Sequence, residues 1–420
     1  MKGLLLLALV TIAITPGIQA SGALSKDEIV RTALRDNQTL KAARAKWAAM
    51  IQRVPQENAW EDPMAGVELQ RTSTTRLDKV TDAEYMFSQA LPVSGKNLSR
   101  ARAASAEALS SYEEYRRAEL NLVSRVQGAY FRLAGAYGQL EITRHNQTLL
   151  KDFSEISRKK YEVGTATQAD VLLAETELAK VTQNVTMIQR DISDQQTQLN
   201  VLMNRRADAP LSLPEPLQFQ PSSLEAGEAQ ALAAKLRPEV LMAARQTEAS
   251  KARLQLAHRQ WFPDPQIQIK ARQFSGMPGI QEYDTGVFVS LPWANPRKYS
   301  AGVKEAANTL ESSRNQYEAA RTEVVGLVRD QLKKIDTFAS NYRLFHDQIL
   351  PTATLTVKST RAGYETDKNS FLELITAQRN LQDIESSSLN QLTEHQAAIA
   401  ELEAVVGKSP FLLNSKDSSK

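Results

Sequence analysis

From residue 96 to residue 161 the chain runs for about 65 residues without a proline, which as one helix would be ~100 Å long. Globular domains rarely hold such a helix. Its second half places Val123, Val126, Tyr130, Leu133, Tyr137 and Leu140 at alternating steps of three and four, the spacing of a coiled-coil seam. Gly164 breaks the run, and Thr167 offers a cap for a new helix with Asp170 in its first turn. The same rhythm then continues through Val171, Ala174, Leu178, Val181, Val185, Ile188, Ile192, Gln195, Leu199 and Leu202. The spacing predicts an antiparallel coiled-coil hairpin closed at residues 164–167. Low glycine and proline (17 and 16 of 420) and sparse aromatics (6%) fit long, narrow helices better than a packed globule.

The pattern occurs twice. Residues 161–178 return in varied form at 364–381, 203 positions later, with Tyr161/Tyr364, Glu162/Glu365, Ala174/Ala377 and Leu178/Leu381 identical. Thr167/Ser370 and Asp170/Glu373 are conservative pairs. A second seam, Val325, Val328, Leu332, Ile335, Ala339 and Tyr342, lies 202 positions after the first. Pro351 is expected to kink this second long helix, over about residues 297–364. The last helix continues Leu374, Ala377, Leu381, Ile384 and Leu402.

Residues 1–20 read as a secretory signal peptide: Lys2, an apolar run over 4–14, and Ala20 or Ala23 for cleavage. Residues 21–204 form the first repeat. It opens with Ser25 and Glu28 spaced as a capping box, on a helix expected to reach about Trp60 before Asp62-Pro63 stops it. Residues 205–223, with Pro210, Pro214, Pro216 and Pro221, form a linker or equatorial segment. Residues 224–407 form the second repeat, with a break near Arg237-Pro238, and 408–420 a polar tail expected to be disordered.

Each repeat also carries a β-hairpin, at about 64–91 and 265–291. Ile267, Ile269 and Ala271 alternate with Gln266, Gln268, Lys270 and Arg272. Tyr283, Thr285, Val287, Val289 and Leu291 share one face of the next strand, opposite Asp284, Gly286 and Ser290. Four such strands cannot close a transmembrane barrel, which takes eight or more; two chains would supply eight and three would supply twelve. Cysteine is absent, which excludes disulfides, thiolate metal sites and a lipid on an amino-terminal cysteine. The dispersed net charge of +3 argues against a nucleic-acid partner. No nucleophile elbow, phosphate loop or His-Glu-x-x-His run is present, so the chain is not expected to be an enzyme and no cofactor or metal is expected. His145, His258, His346 and His395 lack ligand spacing, and His346 and His395 fall on seam positions that favour packing.

The two-fold repeat, the Leu91-Pro92 and Leu291-Pro292 strand exits, and the paired motifs at Tyr161-Glu162-Val163-Gly164 and at Tyr364 with Glu373-Leu374-Ile375-Thr376-Ala377 resemble the TolC-like outer membrane efflux proteins. The resemblance implies a mainly α chain with a small β part, in two tandem repeats of helix, β-hairpin, long helix and helix. Three copies would form a homotrimer: a 12-stranded β-barrel in outer membrane lipid, continued by a 12-helix coiled-coil α-barrel across the periplasm. It implies a passive exit duct in a tripartite pump, with a periplasmic membrane-fusion adaptor at the tips and an inner-membrane transporter of the RND type. Tyr161, Gly164, Thr167, Asp170, Gly363, Tyr364 and Ser370 become candidate tip or adaptor contacts, and Glu373 a candidate constriction residue. Two departures stand out. Asp367 replaces the turn glycine, leaving Gly363 to serve that turn, and Thr376 occupies the second of two acidic positions.

Plainer readings compete. An acidic residue in a first helical turn is favoured by the helix dipole, which suffices for Asp170 and competes evenly for Glu373. Val163, Leu172 and Leu173 are adaptor-facing or seam residues, and Arg361 and Lys368 pair with tip carboxylates or are solvated. Trp60, Trp261 and Trp293 mark a membrane boundary or pack at the helix–strand joint. A type I secretion duct and a barrel-less periplasmic coiled-coil protein are the alternative functions. The run Phe262-Pro263-Asp264-Pro265 and the exit Leu291-Pro292-Trp293-Ala294-Asn295-Pro296 resemble members paired with heavy-metal-cation exporters, with small toxic molecules as the other substrate class.

Overall fold

The computed structural model describes residues 23–70, 82–221, 225–409 and 411. The expected signal segment, and residues 71–81 between the first two strands, lie outside them. Two helices, α1 (Lys26–Asp36) and α2 (Gln38–Asn58), replace the single first helix expected from the sequence. Asn37 separates them. Its backbone is extended, its side chain accepts from the Leu40 N–H at 3.0 Å, and its Nδ2 donates to the Leu202 carbonyl at 2.9 Å. That capping competes with helix continuation. Arg237 adopts nearly the same backbone angles between α5 (Ala226–Leu236) and α6 (Pro238–Arg259), there because Pro238 disfavours the helical region before it. Ser25 does sit at the α1 N-cap, but its side chain makes no capping bond, so the expected box with Glu28 is not formed.

The 67-residue helix α3 (Lys96–Glu162) is the spine of the chain. α1, α2, α4 (Gln168–Leu202), α6 and α9 (Phe371–Val406) all pack along it. Its seam and that of α4 bury Val126, Leu133, Ile188, Ile192 and Leu199 in one cluster, while Tyr137 is only partly covered. Helix α7 (Pro296–Leu344) packs on α5, α6 and α9. Here the seam begins one residue earlier than expected: Val324 is buried and Val325 is 41% exposed. In α3 both equivalents, Leu122 and Val123, are buried because neighbours flank that helix on more sides.

Pro351 acts upstream of itself. A π-helical turn, Phe345–Ile349, separates α7 from α8 (Leu350–Glu365), and the Leu350 N–H reaches back to the Phe345 carbonyl. Widening one turn accommodates the donor that Pro351 lacks.

Strands β1 (Met64–Gln70), β2 (Asp82–Ala90), β3 (Pro265–Phe274) and β4 (Glu282–Val289) form one antiparallel sheet in that order. The β2–β3 pairing joins the two repeats, with Phe87 opposite Ile269 and Glu84 opposite Arg272. One face carries Val67, Leu69, Tyr85, Phe87, Ile267, Ile269, Tyr283, Val287 and Val289, all exposed. The polar face is the more crowded one: Ser88 is 1% and Glu84 5% exposed. Closing such a sheet into a barrel would put this polar side on the inner, concave face. β1 and β4 are the two edges of the sheet, and neither edge has a strand partner among the described residues.

The proline-rich segment is packed across the middle of the helices. The Leu24 N–H donates to the Leu213 carbonyl at 2.8 Å, and the Tyr130 hydroxyl donates to the Leu24 carbonyl at 3.1 Å. Gln396 Nε2 donates to the Gln218 carbonyl at 2.9 Å. Phe219 stacks between Tyr342, at 5.2 Å, and His395, at 4.8 Å, and His346 stacks on Tyr342 in turn. In the polar tail, Ser409 is buried and Phe411 packs against the α3–α4 core. Among the described residues no helix is long and apolar enough to cross a membrane.

His395 is buried, and burial, followed by the nearby Arg343 guanidinium, holds its imidazole below the ordinary value of 6.5. The unfolded chain therefore takes up this proton first as pH falls. We expect thermal stability to decline below about pH 6.5, the unfolded value, and to stop declining from this source below the depressed folded value. His395→Phe should flatten that part of a melting-temperature profile read between pH 7 and 5. An unchanged slope would mean that other groups carry it.

Candidate functional site at the helical tips

The two helical turns lie side by side as one unit. Leu150 and Phe153 of α3, Ala174 and Val181 of α4, Tyr364 of α8, and Phe371, Leu374 and Ile375 of α9 share one buried cluster. The turns close by the same hydrogen bonds. The Lys160 carbonyl accepts from the N–H groups of Thr165 and Ala166, and the Gly363 carbonyl accepts from those of Lys368 and Asn369. Each following helix opens with a reciprocal capping box. The Thr167 N–H donates to Asp170 Oδ2 at 3.0 Å while the Asp170 N–H donates to Thr167 Oγ1 at 3.2 Å. The Ser370 N–H donates to Glu373 Oε2 at 2.9 Å while the Glu373 N–H donates to Ser370 Oγ at 3.3 Å.

Within this shared frame the turns differ. Gly164 takes the left-handed conformation, φ 78°, at no steric cost. Its counterpart Asp367 takes φ 59° itself, so Gly363 does not serve the turn in that sense. Gly363 is helical and serves by lacking a side chain: a Cβ there would overlap the Asn369 side chain. Asp367 is held by Lys160, a residue with no local sequence signature. Lys160 Nζ lies 2.5 Å from Asp367 Oδ1, donates to the Tyr364 carbonyl at 2.7 Å, and sits 4.6 Å from the Tyr364 ring centroid. The first tip thus reaches into the second through one ammonium group. Nothing in the run Arg158-Lys159-Lys160 separates this lysine from its solvated neighbours except its place 203 residues before Gly363.

A second link lies higher. Glu177 of α4 is buried and receives Arg379 Nε of α9 at 2.8 Å and Lys180 Nζ at 2.9 Å. Burial alone would raise its carboxyl, but the two cations outweigh it and hold the group below the usual range. Asn146 bridges to Gln378 at 2.9 Å and also bonds Gln382, which continues the polar seam between α3 and α9.

The sequence-derived candidates divide by exposure. Tyr161, Gly164, Thr167, Ser370 and Glu373 are exposed, and Asp170 and Gly363 partly so. Tyr364 is buried, and burial pushes its phenol above the ordinary value. Val163 and Leu172 are exposed, whereas Leu173 packs against the tip cluster. Arg361 pairs with Glu365 at 3.0 Å. The Glu373 carboxyl is held below its ordinary value, first by the Ser370 N–H and then by Asn369. Trp60 and Trp293 are exposed beside the sheet, and Trp261 packs on Tyr299. Among the described residues no cluster of His, Asp or Glu could hold a metal ion.

An amphipathic sheet set on long paired helices that end in capped turns suits a channel subunit. A family model described as outer membrane efflux protein matches residues 29–205 and 230–408, and the chain belongs to that family. It is an outer membrane channel of an efflux system that extends into the periplasm. Members of this family form trimeric, passive channels in tripartite pumps with adaptors and inner-membrane transporters. The toluene efflux pump outer membrane protein TtgF of Pseudomonas putida is 24% identical over 397 residues, covering 87% of this chain and 80% of that protein. The crystal structure of CusC superposes with a TM-score of 0.80 at 18% identity, covering 91% of this chain and 92% of that one. VceC of Vibrio cholerae gives 0.79 at 18% identity, covering 91% and 96%. At these identities the two structures show a shared fold.

Lys160→Met should loosen the second tip against the first. With the Asp367 side chain largely exposed, we expect a loss of about 1 kcal/mol, or roughly fivefold faster amide exchange over residues 363–372. Asp367→Asn should act in the same direction, and the double variant should be little worse than Lys160→Met alone. Additive effects by exchange mass spectrometry would show that the two side chains do not act together.

Proposed function

We propose that three copies of this chain close one barrel in the outer membrane and one helical tube beneath it, a passive duct whose narrow end is built from six tips. The observation that supports this reading is the four-stranded sheet with an exposed apolar face, a polar face whose centre is buried, and two edges without a strand partner among the described residues. In hydrocarbon an unpaired strand edge is untenable, so β1 of one copy pairs with β4 of the next. Three copies give twelve strands, within the range of such barrels. The first repeat (residues 21–204) and the second (224–407) then each contribute one hairpin and one tip, with residues 205–223 as a belt between them.

At the tips, Glu373 faces the aperture as one carboxylate ring. Its capping bonds hold the carboxyl of one chain below its ordinary value, and three such carboxylates at a narrow axis favour cation entry. Tyr161, Gly164, Thr167, Asp170 and Ser370 present the surface that meets a periplasmic membrane-fusion adaptor, and Gly363 and Tyr364 shape it from behind. An inner-membrane transporter of the RND type supplies the energy, and outer membrane lipid surrounds the sheet. Small toxic molecules and heavy-metal cations are the substrate classes: the likeness to TtgF, described as part of a toluene efflux pump, supports the first, and the runs at residues 262–265 and 291–296, which resemble members paired with heavy-metal-cation exporters, support the second.

The assembly test is electrophoretic. Outer membrane fractions should give an SDS-resistant band that collapses to the monomer on boiling, and full solubility without detergent would defeat the reading. Glu373→Gln retains a residue that suits a capping box, so trimers should still form. Its planar-bilayer channels should lose cation selectivity, and unchanged selectivity would return Glu373 to a capping role alone. A deletion strain that loses resistance to metal salts but not to toluene would choose the second substrate class, and the converse the first.

A further inference from the structure

The charges of the sheet are sorted completely by face. On the described strands Glu68, Asp82, Glu84, Lys270, Arg272, Glu282 and Asp284 all fall on the polar side, and the apolar side carries no charged residue. The register stacks several of them into one rung across all four strands: Glu68, Glu84, Arg272 and Glu282. Arg272 is the hub. It donates to Glu84 Oε2 at 2.7 Å and lies 3.5 Å from Glu282 Oε2 and 3.7 Å from Asp284 Oδ2. Lys270 Nζ lies 2.5 Å from Glu84 Oε1. Glu84 is thereby fully matched and buried, while the Glu282 and Asp284 side chains remain 50% and 58% exposed.

Five carboxylates against two cations leave an excess of three negative charges per chain on this face. We propose that this ladder makes the barrel lumen a second charge filter, at the opposite end of the duct from the tips, and that Arg272 sets its strength by offsetting Glu84, Glu282 and Asp284. The inference rests on the three-chain barrel, which turns the polar face into the lumen wall and multiplies the excess to nine. It deepens that reading by naming the solute class: small cations, whether metal ions or protonated amines, are favoured over anions. The pairing pattern separates two roles. Glu84 binds strand to strand, and Glu282, Asp284 and Glu68 supply the field that a passing ion meets.

A wide barrel filters by its field and not by contact, so its selectivity must depend on salt. The field reaches ~30 Å into the lumen at 0.01 M salt and ~3 Å at 1 M. Reversal potentials under a potassium chloride gradient, in wild-type and Glu373→Gln backgrounds, test the proposal without interference from the tips. The double variant Glu282→Gln/Asp284→Asn removes two exposed charges and leaves Glu84 paired. Its cation-to-anion permeability ratio should fall by at least about twofold near 0.01 M and match the parent at 1 M. Arg272→Gln should move the ratio in the opposite direction, and Arg272→Lys should restore it. If Arg272→Gln fails to assemble, the carboxylate variant decides alone. Channels whose ratio is unchanged by removing the two carboxylates at low salt would overturn the inference while leaving the trimeric barrel intact. Failure of the unaltered chain to form channels would overturn the barrel itself.

Discussion

Backbone hydrogen bonding at the two sheet edges governs the rest of this molecule. A strand can leave its outer N–H and C=O groups to water, but not to hydrocarbon, where each unsatisfied group costs several kcal/mol. In the proposed barrel the apolar face of β1–β4 meets hydrocarbon, and the open edges of β1 and β4 make one chain insufficient there. Closure by like chains satisfies every edge at once, and a head-to-tail interface that closes needs no special end. The helices inherit that symmetry. Each chain feeds its strands into long helices that leave the sheet together, and the hairpins α3–α4 and α8–α9 carry the tube to its far end.

The two repeats use one plan and diverge where the tips meet. Position 160 is lysine in the first repeat, and its counterpart, 363, is glycine. The lysine supplies an ammonium to the neighbouring turn, and the glycine supplies room for Asn369. Gly164 and Asp367 solve the same left-handed position in different ways, one by lacking a side chain and one with a short side chain anchored by Lys160. Hairpins built on one plan thereby become unequal partners, joined by polar contacts at Lys160–Asp367, Glu177–Arg379 and Asn146–Gln378 and by a small apolar cluster. Polar contacts of this kind exchange for water at modest cost, whereas the α3–α4 seam of Val126, Leu133 and Leu199 does not.

Much of this organisation is legible in the sequence, because it is written in periods. Steps of three and four mark the coiled coils, alternation marks the strands, and an offset near 203 exposes the duplication. Thr167 with Asp170 and Ser370 with Glu373 announce their capping boxes by spacing alone. What escapes is set by neighbours distant in sequence. Ser25 and Glu28 have the spacing of a box and do not form one, and Asn37 splits a helix because its side chain also reaches Leu202. The shift of the seam from Val325 to Val324 follows from which helices flank α7. Lys160 and Arg379 have no local signature, since a charge run reads as solvated until the second repeat is placed beside the first. The sorting of every strand charge onto one face could be counted from the alternation, but which carboxylates Arg272 neutralises depends on the β2–β3 register between the repeats.

In the proposed ring, β1 of one chain pairs with β4 of the next, and the ring closes at three. The absence of native cysteine makes it directly measurable by disulfide trapping. One cysteine is moved along residues 64–70 of β1 against another along 282–289 of β4, in outer membranes, and the products are read on non-reducing gels. A closed ring of three chains should give an alternating set of reactive pairs whose ladder ends at a covalent trimer. A ladder that ends at dimer, an intramolecular link between β1 and β4 of the same chain, or no reactive pair at any position would contradict it.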